Sequence, residues 1–416
     1  MADLDELIRG MQFEALYERD PINTTNQPRE EITFEFETSQ PSDQWNTYSG
    51  WSLMTNAEKA EVKRAMDHFE TFLNVNFREV FANADPDINV GLVSLSGNTA
   101  GLGGFNLSSF GDTITEYDSF ALFDNRIDLT TDFNLIIHEL GHAMGLKHPF
   151  EDPMVPAGTD SNKYTVMSYT ENPDNGLNSD AMMLYDILAL QDIWGAADYN
   201  TGNTRYTNKR TETVDAVWDT GGIDTFDASA RGNNVRLDLR EGAFSKFGSY
   251  DDVAITYGTE IENAIGGRGN DRITGNDGAN RLEGGTGNDT MFGQNARDIM
   301  MGGTGNDRMI GGNGRDFLNG NAGRDTLISG SAKDRMKGGA GEDMFVYKEN
   351  HKRDIIVDFT DDQDTINLRS WDFDTKAEAL SYAIERNGNV IFRFDEVDQL
   401  VLLDTTKSVL ADDLLV

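Results

Sequence analysis

GGRGNDRIT, GNDGANRLE, GGTGNDTMF, GQNARDIMM, GGTGNDRMI, GGNGRDFLN, GNAGRDTLI, SGSAKDRMK and GGAGEDMFV follow one another without a gap from Gly266 to Val346. Position eight is apolar in every unit: Ile273, Leu282, Met291, Met300, Met309, Leu318, Leu327, Met336 and Phe345. Position six is acidic in all of them but one, where Asn280 stands. A flexible glycine-rich linker has no reason to hold a core-type residue and a carboxylate in fixed phase. Each unit instead supplies a glycine turn and a short strand. Two units complete one coil, and successive coils stack as parallel strands about 4.8 Å apart. Loops on the same side therefore recur every eighteen residues.

That stacking places Asp271, Asp289, Asp307, Asp325 and Asp343 in one column. Like charges at such spacing repel or force protonation. Calcium ions between the loops would remove the penalty, taking these carboxylates and the turn carbonyls as oxygen ligands. The opposite column, from the units starting at 275, 293, 311 and 329, carries Asn280 for the acid, Ala296 and Ala332 for glycine, and Ser329 at position one. Calcium is therefore expected to fill the first column more completely than the second.

A second informative segment, His138 to His148, reads His-Glu-Leu-Gly-His-Ala-Met-Gly-Leu-Lys-His. Helical residues four apart lie about 40° apart around the axis, so His138 and His142 share a face and can share a metal. A catalytic zinc takes three protein ligands and keeps one position open. Gly145 can adopt a positive φ, end the helix and return His148 to the metal. Glu139 is not needed as a ligand and is free to take a proton from a water that the metal activates. Three of the five histidines lie in this segment; His68 and His351 read as ordinary surface or core residues.

Downstream stands Tyr164-Thr165-Val166-Met167-Ser168-Tyr169. Together with the histidine segment this layout resembles the metzincin zinc metalloproteases, and among them the serralysins; the nonapeptides resemble the RTX repeat. The resemblance implies one catalytic Zn2+ on His138, His142 and His148. Met167 would be the turn methionine beneath it, and Tyr169 a switchable ligand and transition-state donor. It implies an α+β metzincin protease domain followed by an all-β domain, a calcium-binding parallel β-roll of RTX nonapeptides with a C-terminal β-sandwich. It also implies several structural Ca2+ ions, each held by the second and fourth carbonyls and the sixth carboxylate of one loop. The next loop contributes its first and third carbonyls and its own carboxylate. The residues so assigned are Gly267, Gly269 and Asp271 with Gly284, Thr286 and Asp289, then Gly285 and Gly287 with Gly302, Thr304 and Asp307. Gly303 and Gly305 follow with Gly320, Ala322 and Asp325, then Gly323 with Gly338, Ala340 and Asp343. Glu260 and Glu262 resemble the family's cap on the first turn, and Asp219 and Asp224 the carboxylates of an upstream calcium loop.

Composition is consistent with a secreted, cation-loaded protein. The formal charge of -37 argues against a nucleic-acid partner and strains the fold unless cations bind. With no cysteine, disulfides cannot staple it, and calcium is the substitute. No run approaches the roughly twenty apolar residues of a membrane span, and no N-terminal export signal is read in the acidic Met1-Ala2-Asp3-Leu4-Asp5-Glu6. Asp412-Asp413-Leu414-Leu415-Val416 resembles the tail of type I secretion substrates. The expected protein is a secreted monomer that cuts protein and peptide substrates and meets type I secretion machinery during export. A calcium-dependent RTX adhesin or scaffold with a non-catalytic zinc site is the rival; a lipase would need a Gly-x-Ser-x-Gly elbow, which is not found.

The expected organisation is a protease domain over 1–200, a β-rich entry to the roll over 201–265, the roll over 266–346 and a β-sandwich with the secretion signal over 347–416. Glu31 to Phe36 alternates like a strand, and Ala57 to Phe77 carries helical spacing. Either Ile88 to Leu95 or Thr99 to Phe105 is expected to give the sheet edge for an extended substrate. Thr131 is the expected N-cap of the histidine helix, and Leu184 to Ala196 a closing helix.

Overall fold

In the computed structural model, which describes residues 3–41, 47–81, 85–207, 215–251 and 253–416, the alternation around Glu31 becomes strand β1 (Glu30–Glu37). Its apolar residues Ile32, Phe34 and Phe36 are buried. The chain forms two compact units, Met1–Thr201 with Glu212–Thr220, and Gly202–Thr211 with Gly221–Val416.

The first unit holds a six-stranded sheet completed by β2 (Ser49–Ser52), β3 (Val75–Glu79), β4 (Ile88–Ser94), β5 (Gly101–Phe110) and β6 (Thr113–Asp124). The order β3-β1-β4-β6-β5 is parallel except at β5, which runs antiparallel to β6; β2 joins β4 antiparallel. The edge is therefore β5. The alternative over residues 88–95 is an interior strand, which its almost wholly buried pattern explains.

Two short helices, α1 (Leu4–Met11) and α2 (Glu14–Tyr17), precede the sheet. Helix α3 (Asn56–Phe72) starts with a capping box in which Thr55 and Glu58 bond reciprocally. It ends five residues before the expected Phe77, because Leu73 turns extended and Val75–Glu79 pairs with Glu30–Phe34 instead. Helix α4 (Phe133–Ala143) is capped by Asp132, whose carboxylate accepts the Leu135 N–H at 3.1 Å, and not by Thr131. The Thr131 hydroxyl is already committed to the Asp128 carbonyl at 2.9 Å. Helix α5 (Leu184–Trp194) closes the unit, its C-cap Gly195 at φ 73.

In the second unit each nonapeptide forms a strand, and the strands sort by parity into two parallel sheets. Ile273, Met291, Met309, Leu327 and Phe345 align in one register; Leu282, Met300, Leu318 and Met336 align in the other. All nine position-eight side chains are 0% exposed. Each contributes about 1.5–3 kcal/mol by leaving water. Strands after Val346 lengthen both sheets: Thr365–Asn367 and Leu414–Leu415 extend one, Arg353–Ile356 and Gln399–Leu402 the other. Asn389–Arg393 then pairs antiparallel between Gln399–Leu402 and Ala383–Arg386.

The position-six carboxylates form the expected columns. Asp289, Asp307, Asp325 and Asp343 each accept, through Oδ1, the backbone N–H of the aspartate eighteen residues earlier, at 2.7–2.9 Å. In the opposite column Asp298, Asp316 and Asp334 accept in the same way the backbone N–H groups of Asn280, Asp298 and Asp316, at 2.8–2.9 Å. Their second oxygens are buried and have no hydrogen-bond partner among the described residues. Burial pushes these carboxyls up, Asp289, Asp298 and Asp307 to about 7, Asp316, Asp325 and Asp343 to about 6, and Asp334 to about 8.

A folded-state pKa raised above its unfolded value favours the fold only while the group stays protonated, and that stability is lost as pH rises through the folded value. In a calcium chelator, urea unfolding of the full chain is therefore expected to need less denaturant as pH goes from roughly 5 to 8. Millimolar calcium should flatten or reverse the trend. A chelated protein that gains stability over that range would contradict this picture of the columns.

Candidate metal centre

His138 and His142 stand one turn apart on α4, and Gly145, at φ 111, ends the turn as its position requires. The returning segment is tied from both sides. Leu146 N–H donates to the Gly141 carbonyl at 2.9 Å, and Lys147 N–H to the Met11 carbonyl at 2.8 Å, which gives the N-terminal helix a part in positioning His148.

The tautomers follow from what each Nδ1 meets. His138 Nδ1 faces the Val166 carbonyl at 2.9 Å, His142 Nδ1 the Leu146 carbonyl at 2.8 Å, and His148 Nδ1 a Glu151 carboxylate oxygen at 2.8 Å. Each partner is an acceptor, so each Nδ1 carries the proton and each Nε2 is left with its lone pair. One ligand nitrogen from each ring lies within 4.8 Å of the others, and His142 Nε2 is 3.1 Å from His148 Nε2. Facing lone pairs repel unless a cation sits between them. Tetrahedral zinc with bonds of about 2.0–2.1 Å separates its ligand atoms by about 3.3 Å, which this spacing suits. Burial and the neighbouring imidazoles hold His138 down to about 4 and His142 down to about 3, so both rings stay neutral and ready to ligate.

Glu139 points to the β5 side of the helix, 6% exposed, and burial pushes its carboxyl up to about 8 against the pull of the Gly103 N–H. The glycines of β5 make this approach possible. A Cβ on Gly103 would lie 2.1 Å from the Glu139 carbonyl oxygen, and one on Gly101 would lie 2.5 Å from Glu139 Oε1. Tyr169 is 71% exposed, and its hydroxyl donates to His148 Nε2 at 2.7 Å. Met167 is fully buried under α4, its sulfur 2.8 Å from where a side chain on Gly141 would begin. A cleft of about 540 Å³ opens beside His138, Glu139 and Tyr169, lined also by Asn98, Gly101, Asp132 and Asn134.

Sequence reasoning missed the layer beneath these groups. Asp186 on α5 is fully buried and accepts from the Thr165 hydroxyl at 2.5 Å, Val166 N–H at 2.9 Å and Met183 N–H at 2.9 Å. It fixes Val166, whose carbonyl orients His138. Its signal was an acid at the third position of a mainly apolar helical stretch. Glu151, three residues after His148, was also readable as its partner.

The other expected ligands divide. Asp271 Oδ2 accepts the Gly267 N–H at 2.6 Å, and the third-position carbonyls of Thr304, Ala322 and Ala340 each accept a backbone N–H at 2.8–2.9 Å. Glu262 accepts the Asp224 N–H at 2.6 Å, whereas Glu260 is exposed. Asp219 and Asp224 are both buried.

The profile of the Peptidase M10 serralysin C-terminal family matches residues 189–416. The chain belongs to the serralysin family. A serralysin from Photorhabdus laumondii is 32% identical over 293 residues, 61% of this chain and 60% of its own. Metallopeptidase AprA from Pseudomonas marginalis is 31% identical over 300 residues, 61% of each, and a serralysin from Proteus mirabilis 39% identical over 176 residues, 35% of this chain and 36% of its own. The chain thus spans about 60% of the length of the first two of these serralysin-family relatives.

Because Gly103 sets the distance between β5 and α4, Gly103→Ala is expected to weaken zinc retention against a competing chelator about tenfold, from a packing cost of about 1–3 kcal/mol. Gly104→Ala, whose added carbon would meet the Phe120 ring edge at 3.2 Å, should stay within about twofold. Equal retention by both variants would remove the close approach as a determinant of the site.

Proposed function

We propose that this serralysin-family chain is a secreted zinc endopeptidase that hydrolyses peptide bonds in proteins, exported by type I machinery and acting as a monomer. The observation that carries the reading is the convergence of three Nε2 lone pairs, each fixed by an acceptor on its own Nδ1, next to a buried glutamate that is not part of the convergence. A structural zinc site ordinarily closes with four protein ligands; three with an open side is the catalytic pattern.

His138, His142 and His148 would hold the zinc in a metzincin-type centre, with Tyr169 as a fourth, displaceable ligand and Met167 packed beneath. When bound, the metal polarises the scissile carbonyl and brings a water's pKa toward about 7. An extended substrate pairs with the free edge of β5, which places a peptide bond over Glu139. Glu139 accepts the proton of the attacking water and passes it to the leaving amine. Its buried carboxyl returns to the ionised form once a cation is near. Tyr169, exposed enough to turn away from His148, donates to the developing oxyanion, an interaction typically worth about 3 kcal/mol.

Calcium in the two aspartate columns is the folding half of the proposal. The buried second oxygens of Asp289, Asp298, Asp307, Asp316, Asp325, Asp334 and Asp343, without a hydrogen-bond partner among the described residues, are what supports it. In the second column Gln294, Ala296 and Ala332 hold positive φ values of 85°, 62° and 113° where the first column mostly uses glycine. That strain, of order 1–3 kcal/mol per residue, supports weaker filling of the second column.

Hydrolysis of labelled casein in millimolar calcium tests the reading. Glu139→Gln is expected to lower kcat by at least about a hundredfold while the zinc content stays at that of the wild type. Folded, zinc-loaded protein that cuts nothing in either form would favour the scaffold reading. Tyr169→Phe should lower kcat about a hundredfold and leave KM nearly unchanged; an unaltered kcat would take Tyr169 out of the mechanism.

A further inference from the structure

The carboxylates that close the two columns are satisfied by the protein itself. Asp364 takes the Asp343 N–H at 3.0 Å and the Thr360 N–H at 2.8 Å on its two oxygens. Asp354 takes the Asp334 N–H at 3.0 Å and the Ser329 hydroxyl at 2.5 Å. Asp413, one strand further out, is different. It immediately precedes Leu414–Leu415, the strand that pairs parallel with Ile366 and Asn367 at the end of its sheet. The residue is only 8% exposed, yet its Oδ2 has no hydrogen-bond partner among the described residues. It shares that signature with the inward oxygens of the column aspartates, although it lies outside the nonapeptides.

Two further acids reach the same point. One carboxylate oxygen each from Asp361, Asp362 and Asp413 lies within 4.8 Å of the others. Three negative groups at that spacing, one of them buried, need a counter-charge or a shared proton. The nearby Lys376 ammonium is spent on the Asp412 backbone carbonyl at 2.7 Å. The donor set is oxygen alone, which selects a hard cation, and the exposed sides of Asp361 and Asp362 leave room for the waters that would complete six to eight ligands. Magnesium demands a near-ideal octahedron, and a flexible turn facing a strand suits calcium better.

We propose that Asp361, Asp362 and Asp413 form a separate calcium site, outside the repeat columns, that pins the Leu414–Leu415 strand onto its sheet. The hydrogen bonds it protects are those from Ile366 N–H to the Asp413 carbonyl at 3.0 Å and from Leu368 N–H to the Leu415 carbonyl at 2.7 Å. Loss of the ion would leave that two-residue strand held by little else than these bonds and the burial of Leu414.

The test uses the full chain and counts bound calcium by equilibrium dialysis. The double variant Asp361→Asn/Asp362→Asn, changed only at exposed side chains, is expected to hold one ion fewer than wild type. Hydrogen exchange at Ile366 and Leu368 should slow at least tenfold on calcium addition in wild type and show no such slowing in the double variant or in Asp413→Asn. Equal, non-zero counts in wild type and double variant overturn this site and leave the columns standing. No calcium on wild type overturns both. Slowing that magnesium alone reproduces overturns the assignment to calcium, and exchange that calcium never affects overturns the pinning.

Discussion

Buried negative charge without a protein counter-charge is the constraint on which the second unit rests. The aspartates of the two columns are almost completely removed from water, and each spends one oxygen on a backbone N–H of the preceding coil. Except in Asp271, the other oxygen meets no donor among the described residues. A chain with 72 acidic and 35 basic residues and no cysteine has few other means of holding such a stack. Either protons or cations must neutralise it, and at neutral pH only cations can do so without giving up the carboxylate form. The glycine turns serve the same end, since they bring carbonyl oxygens to the line on which the carboxylates converge.

The same logic, with lone pairs in place of full charges, organises the metal centre of the first unit. Val166, Leu146 and Glu151 each accept from an imidazole Nδ1 and thereby turn the opposite nitrogen inward. Asp186 acts one step further back, holding Val166 through its N–H. Buried polar groups of this kind are costly when half satisfied and rigid when complete. This explains why a loop as irregular as Tyr164–Tyr169 can hold ligand geometry without regular secondary structure.

Much of this was legible in the sequence, for identifiable reasons. The nonapeptide period is a packing period, so position eight could be assigned to the interior residue by residue, from Ile273 to Phe345. The histidine offsets are helix geometry, and Gly145 announced its own turn. What escaped was set by partners remote in sequence. The helix expected to reach Phe77 stops at Phe72, because Val75 to Glu79 is claimed by β1, some forty residues away. Thr131 and Asp132 are both good caps, and only the commitment of Thr131 to Asp128 decides between them. An acid at Asp186 in a mainly apolar helix marks a buried charge but not its partners, which lie on a turn twenty residues upstream.

The column ladder also has a direction. Each aspartate N–H is accepted by the carboxylate of the coil that follows it, so every coil is completed from its C-terminal side. The unit that keeps every strand in its own sheet is therefore not the nonapeptide but the pair. Gain or loss of eighteen residues returns every downstream strand to its own sheet. A single nine-residue duplication would send all later strands to the opposite sheet and seat Asp364 and Asp354 under the wrong columns. Serralysin rolls should then differ in length by whole coils, and a lone surviving nonapeptide should appear only where the end of the roll has been rebuilt to receive it.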